Sequence, residues 1–201
     1  MNRRRKQAIM ATQLLPTINN LAFVAYSGAR IVFDRYYVTG QPSAFAYPAI
    51  PEAGIRSVIC VRQPGEAVAP PPVPPPPPFD TTEASTLQQL GVSYQNIPIT
   101  RTMTQAEFNA AATQAAIALL NNGAAGPALI HCSTGDRASS AFAVMLIIGA
   151  GWTNTDAADY CINALLLANS SMVALVRGYS PPAEMAPAIR DAAANFDQFR
   201  A

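Results

Sequence analysis

Residues 126–140, GPALIHCSTGDRASS, place the only histidine of the chain, His131, directly before Cys132, with Arg137 five positions beyond that cysteine. An apolar run precedes the cysteine and a helical run follows the arginine, so the segment reads as strand, short loop and helix. Such a loop turns several backbone N–H groups and the positive end of a helix toward one point. A cysteine placed first in it feels that field together with the charge of Arg137. Settings of this kind lower a thiol from about 8.5 to between roughly 3.5 and 7.5, which makes a thiolate available at neutral pH. Arg137 adds a planar fork of donors suited to a tetrahedral oxyanion. Gly135 opens backbone dihedrals closed to other residues and keeps the loop amides of Ser133 and Thr134 accessible. Ser139, two places after the arginine, is positioned to give a hydroxyl to the sulfur when it leaves. The plainer alternative is a strand that ends in a small buried cysteine.

The rest of the inventory removes most competing chemistries. Three cysteines, Cys60, Cys132 and Cys161, cannot form a closed disulfide framework. One histidine and no C-x-x-C pair speak against a structural zinc site, and a Ser–His–Asp arrangement would have to use His131 itself. No cofactor is called for. Charged residues are only 12% of the 201, and acids and bases nearly cancel to a net charge of +1. That argues against a nucleic-acid partner, which needs a basic face. No apolar run reaches the roughly 18 to 20 residues of a membrane span; AFAVMLIIGAGW reads as a core helix.

The elements that must hold this loop are legible in outline. RIVFDRYYVTGQP reads as one strand with apolar alternation, and AFAYPAIPEAG as a proline-interrupted helical turn stopped at Gly54. IRSVICVR is a buried strand, TTEASTLQQLG a helix capped at Thr81 or Thr82, and VSYQNIPI a short strand. TQAEFNAAATQAAIALLNN is a helix with Thr104 as cap, Glu107 at the capping-box position, and Gly123 and Gly126 as stops. PALIHC is a buried strand, ASSAFAVMLIIGAG the helix leaving the cysteine loop, and two further helices are expected near 154–168 and 181–198. Strands alternating with helices imply a single α/β domain with a central, mostly parallel sheet of four to five strands. Cys132 then lies at the carboxyl end of a strand, where open α/β sheets place their ligands.

Two segments stand outside that alternation. Residues 1–29 form a basic and apolar N-terminal segment in front of the domain at 30–201, opening with MNRRRKQ and showing no acid before Asp34. This start is read as an amphipathic segment of a cytoplasmic protein, with a cleaved export or organelle signal as the other reading. Residues 69–79, APPPVPPPPPF, favour polyproline II and read as a stiff insertion between strand and helix. The alternative is a handle at 70–78 for a proline-reading partner.

HCSTGDRASSAF resembles the signature of cysteine-dependent phosphatases, in which His precedes the nucleophile and Arg closes the phosphate loop. GQP, AGIRSVICVRQPGE, a helical glutamate, LGVSYQNIPI and PALIHCSTGDR follow one another as in a bacterial group of dual-specificity-phosphatase-like proteins, including those called beta-lactamase-hydrolase-like. The resemblance runs over about residues 30–160. It implies a protein-tyrosine-phosphatase-like α/β fold and a metal-independent hydrolysis of phosphomonoesters, phosphotyrosine among them, through a phosphocysteine intermediate. Cys132 would be the nucleophile, Arg137 the phosphate clamp, and His131 a tuner of the cysteine. Ser133, Thr134 and Gly135 would bind substrate through their amides, and Arg101 would bind its anion. Partners would be a phosphorylated small molecule or a phosphoprotein.

Two departures keep other readings open. Most cysteine phosphatases have five residues between Cys and Arg; here there are four, Ser133 to Asp136. That spacing also occurs in rhodanese-like sulfurtransferases, which would load Cys132 as a persulfide. A non-catalytic phosphate-binding or scaffolding module is the third reading. The loop after YQNIPI reads TRTMT and lacks the aspartate that usually acts as general acid, which leaves Asp136, Glu107 or no acid at all. Elsewhere, Cys60 is either a core thiol or a resolving partner for Cys132. Arg62 either approaches the pocket or pairs with Glu66. Cys161 reads as packing, and Trp152 and the aromatic residues at 36, 37 and 47 as core or pocket wall.

Overall fold

A computed structural model of the chain describes residues 29–33, 35–66 and 81–197. The expectations for the segment before residue 29 and for the proline run lie outside these residues. The described chain builds one five-stranded sheet from β1 (Arg30–Val32), β2 (Tyr36–Thr39), β3 (Ser57–Cys60), β4 (Ser93–Asn96) and β5 (Ala128–His131). Their order is β1-β2-β5-β3-β4, parallel throughout except for the edge strand β1.

The single strand expected from Arg30 up to the Gly40-Gln41-Pro42 turn is a hairpin instead. The chain turns at Phe33, whose φ is +53°, and β1 runs back along β2 with Arg30 opposite Val38. The charged pair Asp34-Arg35 between two apolar runs is the sequence sign of this break.

Seven helices flank the sheet among the described residues: α1 (Ala49–Glu52), α2 (Glu83–Gln89), α3 (Gln105–Ala125), α4 (Asp136–Ala150), α5 (Asn154–Ala164), α6 (Ser170–Arg177) and α7 (Ala186–Asp197). α1 and α2 cover one face, where Ile50 and Leu87 pack on Val58 and Leu129. The other face carries the larger core, with Ile59, Ile130 and Cys132 under α3 and α4. α4 is buried from Asp136 through Leu146, which accounts for its continuous apolar sequence. No helix among the described residues is long and apolar enough to cross a membrane.

Three sequence expectations shift. Thr104 and Glu107 close a reciprocal capping box on α3 as expected, but the helix runs through Gly123 to a C-cap at Gly126. Gly123 faces the ring of Tyr36 so closely that a Cβ there would overlap it, so this glycine serves packing rather than termination. The helix expected near 154–168 stops at Ala164, and a separate α6 begins after the N-cap Asn169. Finally, α2 starts at Glu83, after a Thr82 whose side chain makes no capping bond.

Candidate active site

β5 is central and ends level with both neighbours: His131 lies opposite Thr39 of β2 and Cys60 of β3. The loop that follows is tied to both flanks. The Cys132 amide reaches the Thr39 carbonyl at 3.4 Å, and the Gln41 amide donates to the Ser133 carbonyl at 3.1 Å. Gly40 lets the β2 strand end approach this closely; a Cβ there would sit 2.8 Å from the Ser133 oxygen. Gly135 caps α4 in a left-handed conformation, φ +93°, and its amide donates to the Cys132 sulfur at 3.1 Å. Cys132 thus stands at the start of a buried helix, with a loop amide aimed at its sulfur.

Arg137 is the second fixed point. Its Nη1 and Nη2 donate to Glu66 at 2.6 and 2.7 Å in a bidentate pair. Nη1 also donates to the Ile99 carbonyl at 3.0 Å, and Nη2 to the Ser133 hydroxyl at 3.1 Å. Burial works against the Arg137 charge, but Glu66 and the Cys132 sulfur outweigh it and hold the guanidinium more firmly protonated. Its buried Nε has no nitrogen or oxygen partner among the described residues. One donor of a rigid cation therefore remains for an anion at the cysteine loop.

Behind the loop, His131 is wholly buried, with Nε2 3.1 Å from Oε1 of the equally buried Glu83. Burial pushes the imidazole down, yet the Glu83 charge and the Cys60 thiol reverse this and raise it to about 10. Cys60 is shifted the opposite way. Burial raises it, and the hydrogen bond and charge of His131 bring it below the usual thiol range. Sγ of Cys60, a carboxylate oxygen of Glu83 and a ring nitrogen of His131 all lie within 4.8 Å of one another.

The remaining expected site residues take other roles. Asp136, a candidate acid, accepts the amides of Ala168 and Asn169 at 2.9 Å each and lies 3.6 Å from Arg101. Oδ1 thus braces the segment before α6, while the buried Oδ2 has no hydrogen-bond partner among the described residues. The Ser139 hydroxyl donates to the Gly135 carbonyl at 2.8 Å and accepts from the Leu166 amide at 3.1 Å, so it braces the loop rather than facing the sulfur. Gly135 packs on Leu166 as well. The stretch from Leu166 to Asn169 is therefore the back wall of the cysteine loop. Glu107 is pinned by its own N-cap, accepting from both the amide and hydroxyl of Thr104 at 2.8 Å. Arg101 is half-exposed on the rim beside Asp136.

Two contacts differ from the sequence reading. Glu66 pairs with Arg137, while Arg62 is buried and donates to Gln41 Oε1 at 3.1 Å. Cys60 is a buried free thiol on the sheet face opposite that of Cys132, since Cys132 shares its face with Ile130 and Ile59. Glu66 and Glu83 are the functional-site residues that sequence reasoning did not assign. Only the helical glutamate within the family-like segment order pointed toward either.

Neither a family model nor a curated protein matches this sequence. Solved structures do. The catalytic domain of the PP-IP phosphatase SIW14 from S. cerevisiae, crystallised with citrate, superposes with a TM-score of 0.61 at 16% identity, over 90% of this chain and 97% of that one. TpbA of P. aeruginosa gives 0.56 at 16% identity, over 85% and 91%. A complex of TpbA with pTyr gives 0.51 at 18%, over 81% and 87%. What is shared at these identities is the fold, and it is the fold of the cysteine-based, protein-tyrosine-phosphatase-like proteins.

Proposed function

We propose that the protein is a cysteine phosphatase that hydrolyses phosphomonoesters through a phosphocysteine on Cys132. The observation that carries this reading is the clamped Arg137, held on three partners with Nε–H left over, beside a sulfur that accepts a loop amide. The Cys132 thiolate attacks phosphorus in line with the ester oxygen; an S–P bond forms and the P–O bond breaks. Arg137 and the loop amides take the equatorial oxygens, whose charge they match better as the transition state forms. Water then attacks the phosphocysteine and releases inorganic phosphate and the free thiolate.

Among the described residues the candidate acids are engaged to different degrees, and of the Asp136 carboxylate only the buried Oδ2, 3.6 Å from Arg101, is without a hydrogen bond. Glu66 is held by Arg137, Asp136 by the amides of 168 and 169, and Glu107 by its cap. General acid catalysis contributes about 10²- to 10⁴-fold. The chemistry therefore favours substrates whose leaving group departs without a proton, such as aryl phosphates, with phosphotyrosine as the natural example. Arg101 on the rim offers a second contact for an anionic substrate.

The test is hydrolysis of an aryl phosphate by the pure protein in the presence of a chelator. Activity that vanishes in Cys132→Ser supports the proposal. Absence of hydrolysis together with thiosulfate-to-cyanide sulfur transfer replaces it with the sulfurtransferase reading. Anion binding without either turnover leaves a binding module.

A further inference from the structure

A chain of buried polar groups runs behind the cysteine loop. Arg62 Nη1 donates to Gln41 Oε1 at 3.1 Å, and Gln41 Nε2 donates to Glu83 Oε1 at 3.1 Å. The same carboxylate oxygen lies 3.1 Å from His131 Nε2, and neither side chain has any solvent exposure. The polarity of this chain is dictated from its far end. A guanidinium can only donate, so the Gln41 oxygen must face Arg62, and its NH₂ must then face Glu83. Oε1 of Glu83 is thereby required to accept, a role a carboxylate fills. A buried carboxylate is costly unless a counter-charge meets it. His131 is the charged partner within ion-pair distance of it among the described residues.

We propose that Glu83 is a positioning residue that holds His131 as an imidazolium directly behind the Cys132 loop. The ring is joined through one peptide bond to the cysteine, and its Nδ1 lies 3.5 Å from the Cys132 carbonyl. A positive charge fixed there stands directly behind the loop that presents the Cys132 sulfur. The other groups around the ring are the Cys60 thiol from β3 and, through that thiol, Tyr94 from β4. Gln41 and Arg62 complete the set from the loops after β2 and β3. His131 binds its proton more tightly than a free imidazole does, in keeping with this arrangement. The catalytic consequence rests on Cys132 being the nucleophile; the link between Glu83 and His131 does not.

Because His131 is the only histidine of the chain, its ring can be read without ambiguity. The full-length protein labelled with ¹⁵N in the imidazole is titrated by NMR from about pH 6 to about pH 10. Wild type is expected to keep the imidazolium signature well past neutrality. Glu83→Gln is expected to bind the ring proton at least about tenfold more weakly, while Cys60→Ser keeps the ring charged at neutral pH. A neutral ring in wild type at pH 7, or a Glu83→Gln titration matching wild type, overturns the proposal. Should Glu83→Gln not fold, the wild-type titration and Gln41→Leu decide it. Gln41→Leu should weaken proton binding less than Glu83→Gln, and a ring neutral at pH 7 in wild type again overturns the idea.

Aryl phosphatase activity supplies the second readout. The rate of Glu83→Gln at neutral pH should fall, with Glu83→Asp partly restoring it. Hydrolysis with a neutral His131 defeats this proposal alone. A charged His131 in a protein that hydrolyses nothing defeats the phosphatase reading alone.

Discussion

Glu66 grips the guanidinium of Arg137 through both of its carboxylate oxygens, at 2.6 and 2.7 Å, across 71 residues of sequence. The pair fixes the plane of the fork before any substrate arrives, and preorganisation of this kind is where positioning residues act on rate. Glu66→Gln should lower kcat/KM on an aryl phosphate by about 10- to 100-fold, since small misplacements of a clamp have effects of that size. Steady-state kinetics beside a thermal melt will separate this from unfolding; an unchanged kcat/KM would refute the role.

Arg137→Lys keeps the charge but gives up the planar fork, which serves Glu66, Ile99 and Ser133 together. Losing one such preorganised donor set should lower kcat by about 10²- to 10³-fold. The same kinetic assay checks it, with folding confirmed by circular dichroism.

Gly135→Ala meets two obstacles, a φ of +93° and the side chain of Leu166. The left-handed backbone alone costs about 1–2 kcal/mol for a residue with a Cβ. Adding Leu166→Ala should remove the worst contact, with Cδ1, but leave the Cβ of residue 166 at 2.9 Å and the backbone cost. Denaturant unfolding of the single and double variants will show a partial rescue; a full rescue would mean that the backbone carries no strain.

The His131 pair sets a pH window. The folded state raises His131 from 6.5 to about 10, so its contribution to stability is fully present below pH 6.5 and is lost as pH rises through about 10. Glu66 works at the other end. Burial raises its carboxyl but Arg137 outweighs this and depresses it below 4.5. Its contribution is present above that value and lost as acid protonates the folded pair. Urea unfolding at several pH values should show wild type losing stability from pH 7 to 10 more steeply than Glu83→Gln. Parallel curves would contradict the pairing.

Cys60 and Cys132 leave adjacent strands on opposite faces of the sheet, because Cys60 pairs in register with His131 and the next residue points the other way. Peroxide should therefore not join them. Mass spectrometry of the oxidised, unreduced protein should find no Cys60–Cys132 peptide, and a dominant one would show that the strand ends rearrange.

The contiguous parts of the candidate site were legible in sequence, since His131, Cys132, Gly135 and Arg137 lie on one strand–loop–helix whose geometry is local. The α/β alternation and the capping box of Thr104 and Glu107 are local as well. Glu66 and Glu83 were not assigned because their meaning depends on which strand ends the sheet aligns. No short-range pattern separates a carboxylate that will meet Arg137 from one that will meet Arg62. Asp136 and Ser139 lie near Arg137 in sequence, but their contacts with the stretch from Leu166 to Asn169 depend on the tertiary fold and have no local signal. Gly123 looked like a stop until Tyr36 explained it as a close approach.

The proposed phosphatase carries the phosphoryl group on Cys132 during turnover. Rapid quenching of the protein with an aryl phosphate in denaturant, followed by mass spectrometry, reads this directly. A phosphoryl adduct is expected on the peptide containing Cys132 and absent in Cys132→Ser. Turnover with no adduct on that peptide and undiminished in Cys132→Ser would contradict it.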